Sequence, residues 1–269
     1  MQDFQSILIV GCGNMGGAML AGWLAAGMQP SQFTVVDPVL PQAPEGVELL
    51  REPPQRAFDL VLLGIKPQLL GEVADGVAKL AGPETVLLSI LAGVELETLA
   101  ARFPGAKALL RIMPNLAASI GKSPIALAGR GLDATGRDAV TRLMAPLGTP
   151  EWLASEALFD AVTALAGSGP AFVYRFIDAL AVGAAARGLP RDQAQRLALA
   201  MVEGAGALAS ASEHAPGELA RRVASPGGTT RAGLDVLDAD GALAALIAAT
   251  LKAAADRSAE MAREARDKS

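Results

Sequence analysis

The stretch Ile7-Leu8-Ile9-Val10-Gly11-Cys12-Gly13-Asn14-Met15-Gly16-Gly17-Ala18 decides the fold. Four apolar residues in a row describe a strand buried on both faces. The alanine-rich run from Gly17 to Leu24 describes a helix. Between them sits G-x-G-x-x-G, a pattern that is weak alone and informative only between a strand and a helix. Gly11 suits the tight turn, Gly13 lets a backbone approach a pyrophosphate, and Gly16 lets helix and strand pack closely. The N–H groups at the helix start, around Asn14 and Met15, attract an anion. Gly11, Gly13, Asn14, Met15 and Gly16 are therefore the expected dinucleotide-binding turn.

Outward from this turn, strands alternate with helices. Phe33-Thr34-Val35-Val36 leads to Asp37, about twenty residues beyond Gly16, the spacing at which a carboxylate bonds the adenosine ribose hydroxyls. An acid there repels a 2′-phosphate and favours NADH. Residues 38–54 are proline-rich and read as turns. Asp59–Ile65 is an apolar strand ending at Lys66-Pro67, and Gln68–Leu80 is an amphipathic helix. Thr85–Ile90 is a strand ending at Leu91-Ala92-Gly93, small residues that permit close approach to a ring. Ligands of open α/β sheets sit at the carboxyl ends of strands, which places Lys66 near the cofactor. Leu96–Phe103 is helical, and Ala108–Met113 is a strand closed by Pro114-Asn115. Ser123–Ala128 is a strand, 133–147 a helix, and Glu151-Trp152-Leu153 closes the sheet.

Beyond Ala157 no strand pattern remains. Helices are expected over 171–188, 191–212, 216–224, from the Ser225 turn to Leu237, and from Gly241 to Lys268. The fold class is α/β: a Rossmann-type doubly wound parallel sheet over 1–156, followed by an all-α C-terminal domain over 157–269. The later helices are apolar nearly all round, and a handful of them cannot bury every such face alone, which implies an oligomeric interface.

Bulk properties exclude several classes. The 269 residues are 51% hydrophobic, and the net charge of −5 provides no basic field for nucleic acid. No uninterrupted apolar run has the length of a membrane span. Met1-Gln2-Asp3-Phe4 lacks the basic n-region of a signal peptide. Cys12 is the single cysteine, so no intramolecular disulfide forms, consistent with a reducing, cytoplasmic setting. It reads as a small buried filler of the turn. His214 is the single histidine, in a polar loop, and with one Cys and one His no zinc-type metal site is expected.

A second glycine turn, Ser225-Pro226-Gly227-Gly228-Thr229-Thr230, also opens a helix. Successive backbone N–H groups at a helix start form an anion site suited to a carboxylate. The alternative is a plain helix cap by Ser225 or Thr229. A dinucleotide turn in one half and a small-anion turn in the other suggest hydride transfer to a small carboxylic acid. Ketone reduction needs an acid such as His or Lys beside the carbonyl. No lysine lies between Lys122 and Lys252. An iminium carbon already carries the positive charge and needs only a hydrogen bond at nitrogen, which a threonine hydroxyl provides. The scarcity of acids points to C=N reduction.

These motifs, with Arg111-Ile112-Met113-Pro114-Asn115 and Gly167-Ser168-Gly169-Pro170-Ala171, run in the order of the pyrroline-5-carboxylate reductases, which the chain resembles over nearly its whole length. The resemblance implies NAD(P)H-dependent reduction of 1-pyrroline-5-carboxylate to L-proline, the last step of proline synthesis. It implies that Thr230 bonds the ring nitrogen as the catalytic residue. Substrate would be bound by Ser225, Gly227, Gly228, Thr229, Glu213 and Asn115. It also implies a homodimer through the helical domain, in many members assembled into decamers. Leu116-Ala117 stand where the family commonly has Thr-Pro, Leu91 where it often has Ala, and Ala215 where it usually has His. Many members lack an acid at Asp37 and use NADPH, so Asp37 leans to NADH here. The rival readings are a β-hydroxyacid dehydrogenase-like enzyme, which needs the missing lysine, and a non-catalytic NAD(H)-binding protein, which leaves the second turn without a purpose.

Overall fold

The computed structural model describes residues 4–266. Met1–Asp3, the start of the segment read above as lacking an n-region, and residues 267–269, where the expected last helix ends, lie outside the described residues. The chain divides into two compact units, one running through Gly167 and taking up the C-terminal stretch from Ala254, the other Ser168–Ala253.

The first unit is built on a sheet of eight strands: β1 (Ile7–Val10), β2 (Phe33–Val36), β3 (Glu48–Leu50), β4 (Leu60–Leu63), β5 (Val86–Ser89), β6 (Ala108–Met113), β7 (Ser123–Arg130) and β8 (Gly148–Trp152). Their spatial order is β3-β2-β1-β4-β5-β6-β7-β8, with the reversal of order between β1 and β4. Helices α1 (Asn14–Ala25), α2 (Leu70–Ala78), α3 (Leu96–Arg102) and α4 (Ala134–Met144) lie between the strands in sequence.

Side chains of a strand alternate between faces. Ile7 and Ile9 of β1 therefore join Trp23 of α1 and Val140 of α4 in one core, while Leu8 and Val10 join Val77 of α2 and Leu99 of α3 in the other. The strands read as continuous apolar runs because both faces are covered. Trp23 stacks on Phe33 with ring centroids 5.6 Å apart, and its Nε1–H donates to the Leu143 carbonyl at 2.8 Å.

Two features differ from the sequence reading. The proline-rich 38–54 segment contains β3, which pairs with β2 through Thr34–Glu48 and its neighbours. Three residues on a half-exposed edge carry too little pattern to stand out. The sheet is also not wholly parallel. β7 runs antiparallel to β6, and β8 follows β7 in parallel. The connection from Met113 to Ser123 explains this: a parallel return needs a dozen or more residues. Here the chain turns back through the 3₁₀ segment Leu116–Ile120 and Gly121, at φ +67.

After β8 the chain forms α5 (Phe159–Val162) and a π-helical turn, Thr163–Gly167. Then come α6 (Gly169–Ala185), α7 (Arg191–Ala211), α8 (Pro216–Arg222), α9 (Thr229–Asp238) and α10 (Ala242–Arg266), with no strand among the described residues after β8. Within the second unit only Ala181, Ala194 and Ala198 are buried, where α6 and α7 pack together. Val173, Tyr174, Phe176, Leu199, Met201 and Leu246 are exposed in the single chain. One chain alone thus leaves apolar faces of these helices uncovered, as expected of helices that are apolar nearly all round. The continuous run Glu156–Ala185 is long and apolar enough, by length and composition, to cross a membrane. A covered face between protein chains asks for the same composition.

Candidate active site

In the first unit the candidate site is the turn between β1 and α1. The Gly11 N–H donates to Val36 O, and the Gly64 N–H donates to Val10 O, both at 2.8 Å, so the turn sits between the ends of β2 and β4. Gly11 has φ +82, and a Cβ there would lie 2.7 Å from Ile65 Cγ2 and 2.8 Å from the Ile65 nitrogen. A Cβ on Gly16 would meet Gly11 O at 2.8 Å. At Gly13 a Cβ would meet nothing within 4 Å. The three glycines thus divide the work: two allow close protein packing, and Gly13 leaves its approach open. Gly13 is also the N-cap of α1, which has no side-chain cap and no acid in its first turn. Exposed Gly13 and Asn14 and half-buried Met15 present an uncapped helix start, the arrangement a pyrophosphate requires.

Asp37 is buried at the end of β2. Its Oδ2 accepts the Cys12 N–H at 2.9 Å, and its Oδ1 accepts the N–H groups of Val39 and Leu40, each at 2.9 Å. Burial alone would raise its pKa, but these three donors and the Arg51 guanidinium outweigh that and hold the carboxyl below the usual carboxylate range. The group stays ionised, and one lone pair of Oδ2 remains for a hydroxyl. Arg51 Nη1 donates to the carbonyls of Asp37 at 2.8 Å and Leu40 at 2.7 Å. Sequence reasoning did not single out Arg51, because β3 was not expected. Val39, 83% exposed, lies beside this acid. Cys12 is buried, and burial, with Asp37 adding to it, pushes its thiol up to about 11, which leaves it unreactive.

Ile65 is half-buried against Gly11, and Lys66 is exposed before the 3₁₀ turn Pro67–Leu69. Ala92 is half-buried and Gly93 buried at φ +75. The space in front of Gly93 is taken by a helix backbone: a Cβ there would lie 3.2 Å from Ala262 Cα. Gly93 thus satisfies a close approach by α10. Asn115 is buried, and its side chain works locally. Its Oδ1 accepts the Ala117 N–H at 2.9 Å, and its Nδ2 donates to the Ala166 carbonyl at 3.0 Å. It thereby ties the end of β6 to the π-helical turn that leads to Ser168.

The Ser168–Ala253 unit carries the second glycine turn. The Gly228 N–H donates to Ser225 O at 3.0 Å, closing a turn that needs Gly227 at φ +71. A Cβ on Gly228 would lie 2.5 Å from Ser225 Oγ. Gly228 is the N-cap of α9, again with no side-chain cap and no acid in the first turn. Ser225 and Thr229 therefore do not cap the helix, and Thr229 and Thr230 are its first two residues, both exposed. Glu213 and His214 are exposed in the loop before α8. Among the described residues no group of three or more His, Cys, Asp or Glu could hold a metal ion.

Comparison with known proteins follows the same division. Residues 156–261 match the family model of pyrroline-5-carboxylate reductase dimerisation, and residues 6–93 match that of NADP oxidoreductase, coenzyme F420-dependent. A pyrroline-5-carboxylate reductase of Pseudomonas aeruginosa is 35% identical over 267 residues, covering 96% of this chain and 97% of that protein. One from Pisum sativum is 35% identical over 270 residues, with 97% of each covered. The solved structure of a pyrroline-5-carboxylate reductase from Coxiella burnetii superposes with a TM-score of 0.89 at 27% identity, over 96% of this chain and 98% of that one.

Proposed function

The chain belongs to the pyrroline-5-carboxylate reductase family, and from that membership we propose how its residues divide the work. The protein reduces the C=N bond of 1-pyrroline-5-carboxylate to L-proline, with NADH or NADPH supplying the hydride. The uncapped start of α1 and the open approach at Gly13 fit a dinucleotide. Gly11, Gly13, Asn14, Met15 and Gly16 hold its pyrophosphate, Asp37 its adenosine ribose, and Ile65, Lys66, Pro67, Ala92 and Gly93 its nicotinamide half. The ionised Asp37 supports a preference for NADH.

The observation that carries the substrate assignment is the second uncapped turn. Backbone N–H groups at Gly227 and Thr229, with the Ser225 hydroxyl, receive the substrate carboxylate, an anion placed where the helix dipole favours it, while Gly228, whose own N–H closes the turn on Ser225 O, brings the backbone close to the substrate. The Thr230 hydroxyl oxygen accepts the N–H of the iminium, orients the imine carbon toward the hydride and stays with the nitrogen as it becomes an amine. Glu213 lines the substrate side. Asn115 acts on substrate through the Ala166 carbonyl and the segment that follows it. By role, residues 1–156 hold the nucleotide and 157–269 serve substrate and dimerisation, although 157–167 and the stretch from Ala254 pack with the first unit. The exposed apolar residues of α6, α7 and α10 support a dimer. Further assembly to a decamer and a cytoplasmic location rest on the family resemblance and on the single, buried cysteine.

A Thr230→Ala variant tests the arrangement. Its kcat falls about tenfold, the worth of one hydrogen bond, with nucleotide affinity unchanged. Full turnover in that variant would remove Thr230 from the mechanism.

A further inference from the structure

The loop between β5 and α3, Leu91–Glu95, carries Ala92 and Gly93. It is fixed from two sides by residues far away in sequence. On one side Gly93 lies against the α10 backbone at Ala262. On the other, the first N–H of α3, at Leu96, donates to Glu156 Oε1 at 2.8 Å. Glu95, the N-cap of α3, gives no side-chain cap of its own, so Glu156 supplies the cap from the segment after β8.

Glu156 is itself held. Arg111 Nη1 donates to the same Oε1 at 2.6 Å. The Arg111 side chain is only 8% exposed, and its guanidinium lies 4.4 Å from the centroid of the Phe159 ring. A flat, stacked guanidinium has few ways to move, so it presents its N–H in one direction. Arg111 also stands opposite Ser89 in the β5–β6 register, and Ser89 Oγ accepts the Leu91 N–H at 3.3 Å. The Leu96 end of the loop is thus tied through Glu156 to one buried arginine, and the Leu91 end is held by Ser89 on the strand that pairs with the arginine's own.

We infer that Glu156 and Arg111 are a positioning pair for the cofactor side of the site: they set the Leu91–Glu95 loop, and with it the affinity for the reduced nicotinamide cofactor. Glu156 is also the first residue matched by the dimerisation family model, so the nucleotide loop takes its geometry from the head of the dimerisation segment. The inference rests on the reading of Ala92 and Gly93 as cofactor-lining residues.

The test uses the full-length protein and separate KM values for NADH and pyrroline-5-carboxylate. Glu156→Ala removes the acceptor and leaves a buried cation, and it raises KM for NADH about tenfold, the worth of a charge-assisted hydrogen bond, while KM for the substrate stays within about twofold. Glu156→Gln keeps an acceptor for Leu96 and returns KM for NADH to within about threefold of the parent, which a merely structural role would not require. Ala92→Phe places a bulky ring on the loop itself and raises KM for NADH whether or not the pair positions anything. If Ala92→Phe raises it and Glu156→Ala does not, or if Glu156→Ala raises both KM values equally, the pair does not position the loop. If neither variant raises it, the loop does not line the cofactor and the inference falls with that reading. Should Glu156→Ala fail to fold, Arg111→Lys decides: a several-fold rise in KM for NADH alone supports the pair, and an unchanged value overturns it.

Discussion

The Asp37 carboxylate accepts the Cys12 N–H at 2.9 Å, which ties the acid at the end of β2 directly into the glycine turn that follows β1. Two more N–H groups, at Val39 and Leu40, bind the other oxygen. One residue therefore shapes the turn and holds a negative charge beside the expected ribose position. Removing it has two separable consequences.

The first concerns cofactor choice. A unit charge a few ångströms from a 2′-phosphate is worth about 1–4 kcal/mol near a protein surface. Asp37→Ser removes that repulsion and shifts the ratio of kcat/KM for NADPH over NADH upward by about tenfold or more. Steady-state kinetics with both cofactors checks this. An unchanged ratio would take cofactor preference away from Asp37.

The second concerns pH. The folded-state pKa of Asp37 is depressed, so its ionisation stabilises the fold above the unfolded carboxyl pKa of about 3.9. That contribution disappears as pH falls through the lower, folded-state value. Asp37→Asn is accordingly less stable than the parent at neutral pH, and the difference narrows as the pH drops below about 4. Denaturant unfolding across that range measures it. A difference that grows on acidification would contradict the assignment.

Gly11 is constrained by both its positive φ and its neighbours. Gly11→Ala forces a left-handed conformation on alanine and drives its Cβ into Ile65. The cost is about 1–3 kcal/mol of stability, and nucleotide affinity falls with it because the turn must shift. Thermal unfolding and cofactor titration report the two effects. Gly13→Ala, with open space at its Cβ, leaves stability nearly unchanged and lowers affinity alone.

Trp23 tests the core apart from the site. Trp23→Phe leaves the buried Leu143 carbonyl without its 2.8 Å donor. This costs about 1–3 kcal/mol and lowers the unfolding midpoint, with KM for both substrates unchanged. A changed KM for NADH would show that this face of the sheet reaches the cofactor turn.

The parts of the fold legible in the sequence were those with a strong local signal. β1, β2, β4, β5 and β6 are buried on both faces, so each appears as an unbroken apolar run, and α1 follows its glycine turn. β3 was missed because Glu48-Leu49-Leu50 lies on an edge, among prolines, with no alternation to read. The reversed direction of β7 was not visible in its own residues, since a strand pattern gives a face and not a direction. It was present in the short Met113–Ser123 connection. The two glycine turns were legible because their chemistry depends on local spacing. Arg51 and the Arg111–Glu156 pair were not, because each acts through partners brought near only by folding, in the latter case 45 residues apart.

The central claim is that the chain reduces a small cyclic imine with a nicotinamide cofactor and without an acid–base side chain at the reacting carbon. The loss of reduced-nicotinamide absorbance with pyrroline-5-carboxylate as substrate tests it most directly. The account predicts oxidation of NADH and NADPH, one equivalent per L-proline formed, with the larger kcat/KM for NADH. Oxidation of neither cofactor by the folded protein would contradict it.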